Sequence, residues 1–312
     1  MTANTTNKLV SNSTYARTGS TSSTSECIAW FIVVIFGILA IVIFNLITIV
    51  VFVKQRQLQR RSKYLLIHLA IVDLLVGAVS GPSFIAEGFS FFCYQRDNTI
   101  VARFLWELLP VTSLVNLAAI SLERLHATFF PFKHRFIKKW VYGVIVAVIW
   151  LMGCFSAMLN VIFNFFLKSD SFISIGVLLR SVYHLICLLI ISISYCFILI
   201  KVRCSPSPQH HGAANTERKL TITLIWITFA SLLSWLPHVV FSITTIFFEG
   251  ISNIHFVAAT LLLIGANSLI NPIIYVIRIP EFRAGLAKIF CRNQNHTRRV
   301  DLPQFGRASC RE

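Results

Sequence analysis

The chain has 312 residues, of which 56% are hydrophobic and 13% charged. A soluble domain carries about 25% charged residues, so this chain lacks the polar surface to cover a water-exposed particle, and lipid is the solvent to expect. The formal net charge of +16 would suggest nucleic acid in a soluble protein; here the basic residues flank apolar runs, where they set membrane topology instead, and no nucleic-acid partner is expected.

Residues 1–26 are polar, rich in Ser and Thr, and have no apolar centre of the kind a cleavable leader needs. Seven apolar runs follow, at about 28–53, 64–89, 100–128, 138–163, 173–201, 218–247 and 254–277. Each is long enough to cross a bilayer. Backbone polar groups must be satisfied within a span, and no run shows the alternation of a membrane β-strand. The fold class predicted is therefore an all-α membrane protein, a bundle of seven helices.

Basic residues alternate by side. Loop 54–63 carries five, 124–139 five, 201–219 four and the segment after 277 eight, which is 22 of the 28 Lys and Arg. The positive-inside rule then puts these regions in the cytoplasm and the N-terminus outside. Two glycosylation acceptors, Asn4 and Asn12, fall on the outside tail. A third, Asn295, falls inside, where it is idle.

Polar residues within spans are costly and usually functional. Span 1 holds Asn45. Span 2 holds Asp73 at mid-depth. Span 3 ends in Glu123 and Arg124. Span 4 holds Trp150, span 5 ends near Tyr195, and span 6 contains Ser-Trp-Leu-Pro at 234–237. Span 7 contains Asn267, Ser268, Asn271, Pro272 and Tyr275.

In this order and on these spans, the motifs resemble those of rhodopsin-like (class A) G-protein-coupled receptors. Glu123-Arg124-Leu125 stands where the family has its acid-Arg-Tyr triplet, with Leu125 replacing the Tyr. Ser234-Trp235-Leu236-Pro237 matches its Cys-Trp-x-Pro, and Asn271-Pro272-Ile273-Ile274-Tyr275 its Asn-Pro-x-x-Tyr. The resemblance covers about residues 28–291. It implies an extracellular glycosylated tail at 1–27, a bundle at 28–278, an amphipathic eighth helix at 279–291 and a cytoplasmic tail at 292–312. Cys291 stands where a palmitoylated Cys lies in many relatives.

The resemblance also implies site residues. A sodium site would be made by Asp73, Ser113, Asn267, Ser268 and Asn271. Oxygen ligands of this kind suit a hard cation, and the alternative is a hydrogen-bonded cluster without an ion. Activation would run through Trp235, Pro237 and Pro272, since Pro removes a backbone hydrogen bond and kinks a helix. Arg124 would be restrained by Glu123 and by Glu217 on span 6, then released when span 6 swings, with Tyr195 and Tyr275 holding the new position. Anchoring of Arg124 at the membrane edge is the plainer alternative. Ligands would enter among spans 3, 5, 6 and 7, near Arg103, Trp106, Glu107, Pro110, Arg180, His184, His238, Phe241 and Leu262.

Several departures narrow the ligand. The span 3 position that is Asp in amine receptors is Trp106, and the span 7 position that is the retinal-bearing Lys of opsins is Gly265. Thr99 replaces the family's span 3 Cys, and the outer loop at about 164–172 has no Cys. Cys27 and Cys93, the Cys nearest the outer face, either pair with each other or remain free thiols. Cys154, Cys187 and Cys196 read as small apolar residues within spans. Cys187 replaces the span 5 Pro, and Ser231 the aromatic four residues before Trp235. A short outer loop without these features is loosely similar to melanocortin and adenosine-type receptors, and suits a small peptide or a lipid.

The chain has no catalytic constellation, and His210-His211 reads as a solvated pair, so an enzyme is not expected. The leading function is a plasma-membrane receptor for an extracellular ligand, acting on a heterotrimeric G protein, with arrestin, membrane lipid and a second copy as further partners. No cofactor beyond the sodium ion is implied. A receptor-like scaffold with little signalling is the second reading. An ion transporter or channel is the third, and the odd number of spans without inverted repeats opposes it.

Overall fold

The structure, a computed structural model, describes residues 24–54, 63–85, 99–167, 169–204, 212–247 and 254–289. Among these there is no β-strand, and seven helices are long and apolar enough to cross a membrane. Span 1 is Thr24–Lys54. Span 2 runs over Lys63–Leu75, a π-helical turn at Val76–Ser80, and Gly81–Phe84. Span 3 is Ile100–Phe129, and span 4 is Lys139–Val161 with a π-helical turn at Ile162–Phe166. Spans 5, 6 and 7 are Asp170–Cys204, Gly212–Phe247 and Ile254–Arg278. A further helix covers 280–289. The odd-numbered spans begin at one end of the bundle, called the upper end below, and finish at the lower end.

Local chemistry sets the helix ends. Thr99, at the position of the family's Cys, caps span 3 in an extended conformation and accepts a hydrogen bond from the Ala102 N–H at 3.2 Å. Pro82 cannot donate to the turn before it, and the π-helical turn at Val76–Ser80 stands directly ahead. Span 3 stops at Phe130, and Pro131 opens a short helix, Pro131–Arg135, from the first position, where its missing N–H costs nothing. Cys27 is disulfide-bonded to a partner outside the described residues, where Cys93 also lies. Cys154, Cys187 and Cys196 are free.

Span 3 is the axis of the bundle. In its most apolar stretch 72% of residues are buried, against 11% in span 1. The main core gathers Leu114, Leu117 and Ile120 of span 3 with Leu65 and Leu69, Ile191 and Ile198, Trp235, and Tyr275. The outward faces of the spans carry large apolar side chains such as Phe36, Leu151, Phe155 and Ile277, the surface that hydrocarbon tolerates. At the lower end Phe282 is buried against Phe52 and Tyr275, with ring centroids 5.5 and 6.0 Å apart. These contacts seat the 280–289 helix beside spans 1 and 7.

Spans 3 and 4 approach closely because Gly153 has no side chain. A Cβ there would run into the Thr112 hydroxyl, which donates to the Leu108 carbonyl at 2.6 Å. Gly153→Leu is therefore expected to destabilise the bundle by about 1–3 kcal/mol through overpacking. Gly143→Leu, on the same helix with nothing near its Cβ position, is expected to be close to neutral. Thermal melting of the purified protein and its surface expression check both.

Candidate functional site

Among the described residues three carboxylates are buried, at three depths, and each gathers partners from other elements. A buried charge needs such partners, because hydrocarbon offers no hydrogen bonds.

At mid-depth, Asp73 is fully buried. Its Oδ1 accepts from the hydroxyls of Ser113 and Ser268, both at 2.7 Å, and its Oδ2 from Asn271 Nδ2 at 2.8 Å. Four of the five residues expected around an ion thus meet directly. Asn267 is buried beside them without bonding the carboxylate. Asn45 donates to the Ser268 carbonyl at 3.1 Å, which ties span 1 to the same turn of span 7. All three donors to Asp73 are neutral, and no cationic side chain among the described residues pairs with it. The negative charge is left to a proton or to a small hard cation held by oxygen.

At the lower end, Glu123 and Arg124 are buried and paired, with Arg124 Nε 3.1 Å from Glu123 Oε2. Two residues that the sequence reading passed over complete this group. His134 Nε2 lies 2.8 Å from Glu123 Oε1, and the Tyr142 hydroxyl donates to the same oxygen at 3.3 Å. Glu123 therefore joins span 3 to the short 131–135 helix and to span 4. The Glu217 side chain, the other expected partner of Arg124, lies outside the described part of the structure. Tyr195 and Tyr275 are both buried in the main core. The Tyr275 hydroxyl has no hydrogen-bond partner among the described residues.

At the upper end, Glu107 accepts from Ser156 Oγ at 3.2 Å and from Asn160 Nδ2 at 3.3 Å, both on span 4. Arg180 Nε and His184 Nε2 of span 5 stand 3.7 and 3.5 Å from its Oε1. Polar residues on span 4 carry no period or motif, so only the packing reveals Ser156 and Asn160. His184 packs on the Trp235 ring at 5.1 Å, and His238 contacts both rings at 6.2 Å. Trp235 is buried two residues before Pro237, and its indole N–H has no partner among the described residues.

The nine expected ligand-lining residues divide rather than forming one wall. Glu107, Arg180, His184 and His238 gather toward spans 4, 5 and 6. Trp106, Pro110 and Leu262 line a separate apolar cavity among spans 1, 2, 3 and 7. Phe241 stacks on Phe256 at 6.4 Å, and Arg103 stands one turn above Glu107 on span 3. The division follows from helix geometry, because consecutive residues such as Trp106 and Glu107 point about 100° apart. Asn4, Asn12, Cys93, His210, His211, Cys291 and Asn295 lie outside the described residues.

Residues 44–275 match the family model described as the seven-transmembrane receptor (rhodopsin family). The chain is 26% identical to the histamine H2 receptor of Homo sapiens over 291 residues, covering 82% of this chain and 79% of that receptor. It is 25% identical to pinopsin of Columba livia over 260 residues, covering 77% and 74%. The chain belongs to the rhodopsin family of seven-transmembrane receptors, a family of receptors rather than enzymes.

Removing one partner of a buried ion pair strands the other, at a cost of about 3–5 kcal/mol. Glu107→Ala is expected to lose stability on that scale, because Arg180 then loses the carboxylate it pairs with. Arg180→Ala in the Glu107→Ala background should recover a large part of the loss. Melting temperatures of the two single variants and the double variant measure the coupling; simple additivity would show that the pair is not coupled.

Proposed function

We propose that the chain is a cell-surface receptor with its upper end outside, which binds an extracellular ligand there and activates a heterotrimeric G protein at its lower end. The observation that carries this reading is the buried Glu123–Arg124 pair, sealed at the lower end of the most buried span and bonded to span 4 and the 131–135 helix. A charge pair kept from water at that end is a latch. Span 6 moves away from span 3, Arg124 is uncovered, and the G protein binds the opened surface. The resting and active forms are two states whose populations the ligand shifts through its different affinity for each. Arrestin would compete for the same opened surface, and a second copy would pack along the apolar outer faces.

The ligand is not a biogenic amine held by a carboxylate at the span 3 position that amine receptors use. A relative is named for histamine, but the equivalent position here is Trp106, packed on Phe84 with ring centroids 5.1 Å apart. Gly265 likewise offers no amine to retinal. A small peptide or a lipid is the class that the short outer loop at about 164–172 and the mixed polar and apolar lining support.

The cluster around Asp73 is the second input. Its buried, oxygen-bearing, cation-free shell fits a sodium ion held by Asp73, Ser113 and Ser268, with Asn267 and Asn271 completing the polar surround. Binding to the resting form alone would stabilise it by mass action. A silent, partner-binding receptor is the second reading, and it rests on Ser231 and Cys187 at two positions where relatives carry switch residues.

Two outcomes are expected in cells expressing the full chain. Glu217→Ala raises basal second-messenger output, and Arg124→Ala lowers coupling with surface expression retained; unchanged output in both variants would sink the latch. Separately, the purified protein should melt at higher temperature in sodium chloride than in choline chloride, and Asp73→Asn should remove the difference. Equal melting of the unaltered chain in both salts would leave only the hydrogen-bonded cluster.

A further inference from the structure

His134 stands in the short 131–135 helix, and its Nε2 lies 2.8 Å from Glu123 Oε1. A carboxylate paired with an Arg is ionised and only accepts, so this ring nitrogen carries the hydrogen. The Tyr142 hydroxyl donates to the same oxygen at 3.3 Å, and Arg124 Nε stands 3.1 Å from Oε2. The two sides of the contact differ in access to water. The Glu123 side chain is 5% exposed and the His134 side chain 17%, so the imidazole exchanges protons with the medium while the acid is sealed. The charged and titratable groups around the ring are Glu123, Arg124 and His126 on span 3, Lys133 and Arg135 on its own helix, and Lys138, Lys139 and Tyr142 at the start of span 4. The His126 ring is 5.9 Å away, and Tyr64 of span 2 packs on Tyr142 at 5.9 Å. Glu123 is the one acid in this group.

The charge balance at Glu123 depends on this ring. With a neutral imidazole, the acid and Arg124 cancel, and His134 and Tyr142 add two neutral hydrogen bonds. Taking Arg124 away then leaves one buried negative charge on neutral donors, which is costly. A second proton, on Nδ1, makes the ring a cation. Its bond to Oε1 becomes charge-assisted, roughly twice as strong as a neutral one, and the acid keeps a counter-charge when Arg124 leaves. While the latch is shut, the same proton sets a second cation beside Arg124. Both effects favour release. Resting on the latch reading, we propose that His134 is a proton-operated control of that latch, in which a proton taken from the cytoplasm makes Arg124 easier to uncover.

Imidazole is the side chain whose charge changes across the physiological range of pH. The proton and the release of Arg124 favour each other, so by linkage the proton shifts the population toward the open form. Acidification of the cytoplasm raises the open fraction, and alkalinisation lowers it. A proton taken by Glu123 itself would also release Arg124. That route needs no imidazole at position 134, and a permanent cation there would oppose it, because a neighbouring positive charge keeps a carboxylate ionised. The two routes therefore predict opposite effects for a fixed charge at 134.

The full chain in phosphatidylcholine nanodiscs, without G protein, is treated with phenylglyoxal between about pH 8 and about pH 6, and modification of Arg124 is followed by peptide mass spectrometry. Arg124 is buried and reacts when it is uncovered. Dividing its rate by that of Arg283, exposed on the 280–289 helix, cancels the reagent's own dependence on pH. The relative rate should rise about fivefold toward the acid end. His134→Gln keeps a neutral donor and should hold the rate low and flat. His134→Arg carries a permanent charge and should hold it high and flat. A structural role alone would move both variants the same way. His126→Gln should keep the response to pH. A rate in the unaltered chain that ignores pH, a response that survives in His134→Gln, or the same shift in both His134 variants overturns the proposal. Glu217→Ala separates it from the latch itself. If Arg124 is uncovered in that variant, any of these results removes the proton control and leaves the latch standing. If Arg124 stays protected there and in the unaltered chain at every pH, both are overturned.

Discussion

A carboxylate inside hydrocarbon has to be compensated by its neighbours, and that requirement organises this bundle. Asp73, Glu107 and Glu123 are each less than a tenth exposed, and bare charges there would cost far more than the net stability of a fold. Each draws groups from at least one other span: Ser113, Ser268 and Asn271 at mid-depth; Ser156, Asn160, Arg180 and His184 above; His134 and Tyr142 below. Helices in lipid gain little from apolar contact alone. The polar ties therefore fix rotation and depth, and the apolar side chains fill what remains. All three ties involve span 3, which explains why it is the most buried of the seven.

The same span divides the upper half of the molecule by chemistry. Glu107 turns toward spans 4 and 5 and collects ions and imidazoles, whereas Trp106 and Pro110 turn toward spans 1, 2 and 7 and enclose apolar space. His184 touches both Glu107 and Trp235, so the polar face is in direct contact with the ring two residues before Pro237. The apolar face has no such chain of rings. It abuts span 7 directly, beside Ser268 and Asn271. The polar face thus leads toward Pro237 inside span 6, and the apolar face toward the turn before Pro272 inside span 7.

The spans were legible in the sequence because lipid imposes a crude requirement, some 20 apolar residues per helix, that needs no knowledge of neighbours. Asp73 stood out as an acid at mid-depth of a span, but its partners were legible only through the family resemblance, which supplied the pairing across a separation of nearly two hundred residues. The partners of Glu107 and Glu123 were not. Ser156, Asn160, His134 and Tyr142 are ordinary residues in sequence, and they matter only once helix rotation brings them to a carboxylate. The 131–135 helix is too short to show a period, although Pro131 was a start signal that could have found it. The nine pocket candidates went together because the family resemblance put ligands in the outer half among spans 3, 5, 6 and 7, and sequence position says nothing about which side of a helix faces which neighbour until the bundle is packed.

Leu125 stands where the family pattern has a Tyr, and under the proposed latch the added partners of Glu123 supply a restraint from behind. His134 and Tyr142 bond Glu123 Oε1 while Arg124 pairs with Oε2. Both oxygens are occupied, so the carboxylate is held in the orientation that meets the guanidinium. Under the proposed latch, moving Arg124 outward would leave Glu123 still bonded on one side, so the buried acid would not be stranded. That would lower the cost of an open form relative to a bare acid–Arg pair, in which separation leaves two uncompensated charges. The two bonds to Glu123 Oε1 would then keep span 3, span 4 and the 131–135 helix together, and confine the proposed change to the guanidinium side of the carboxylate.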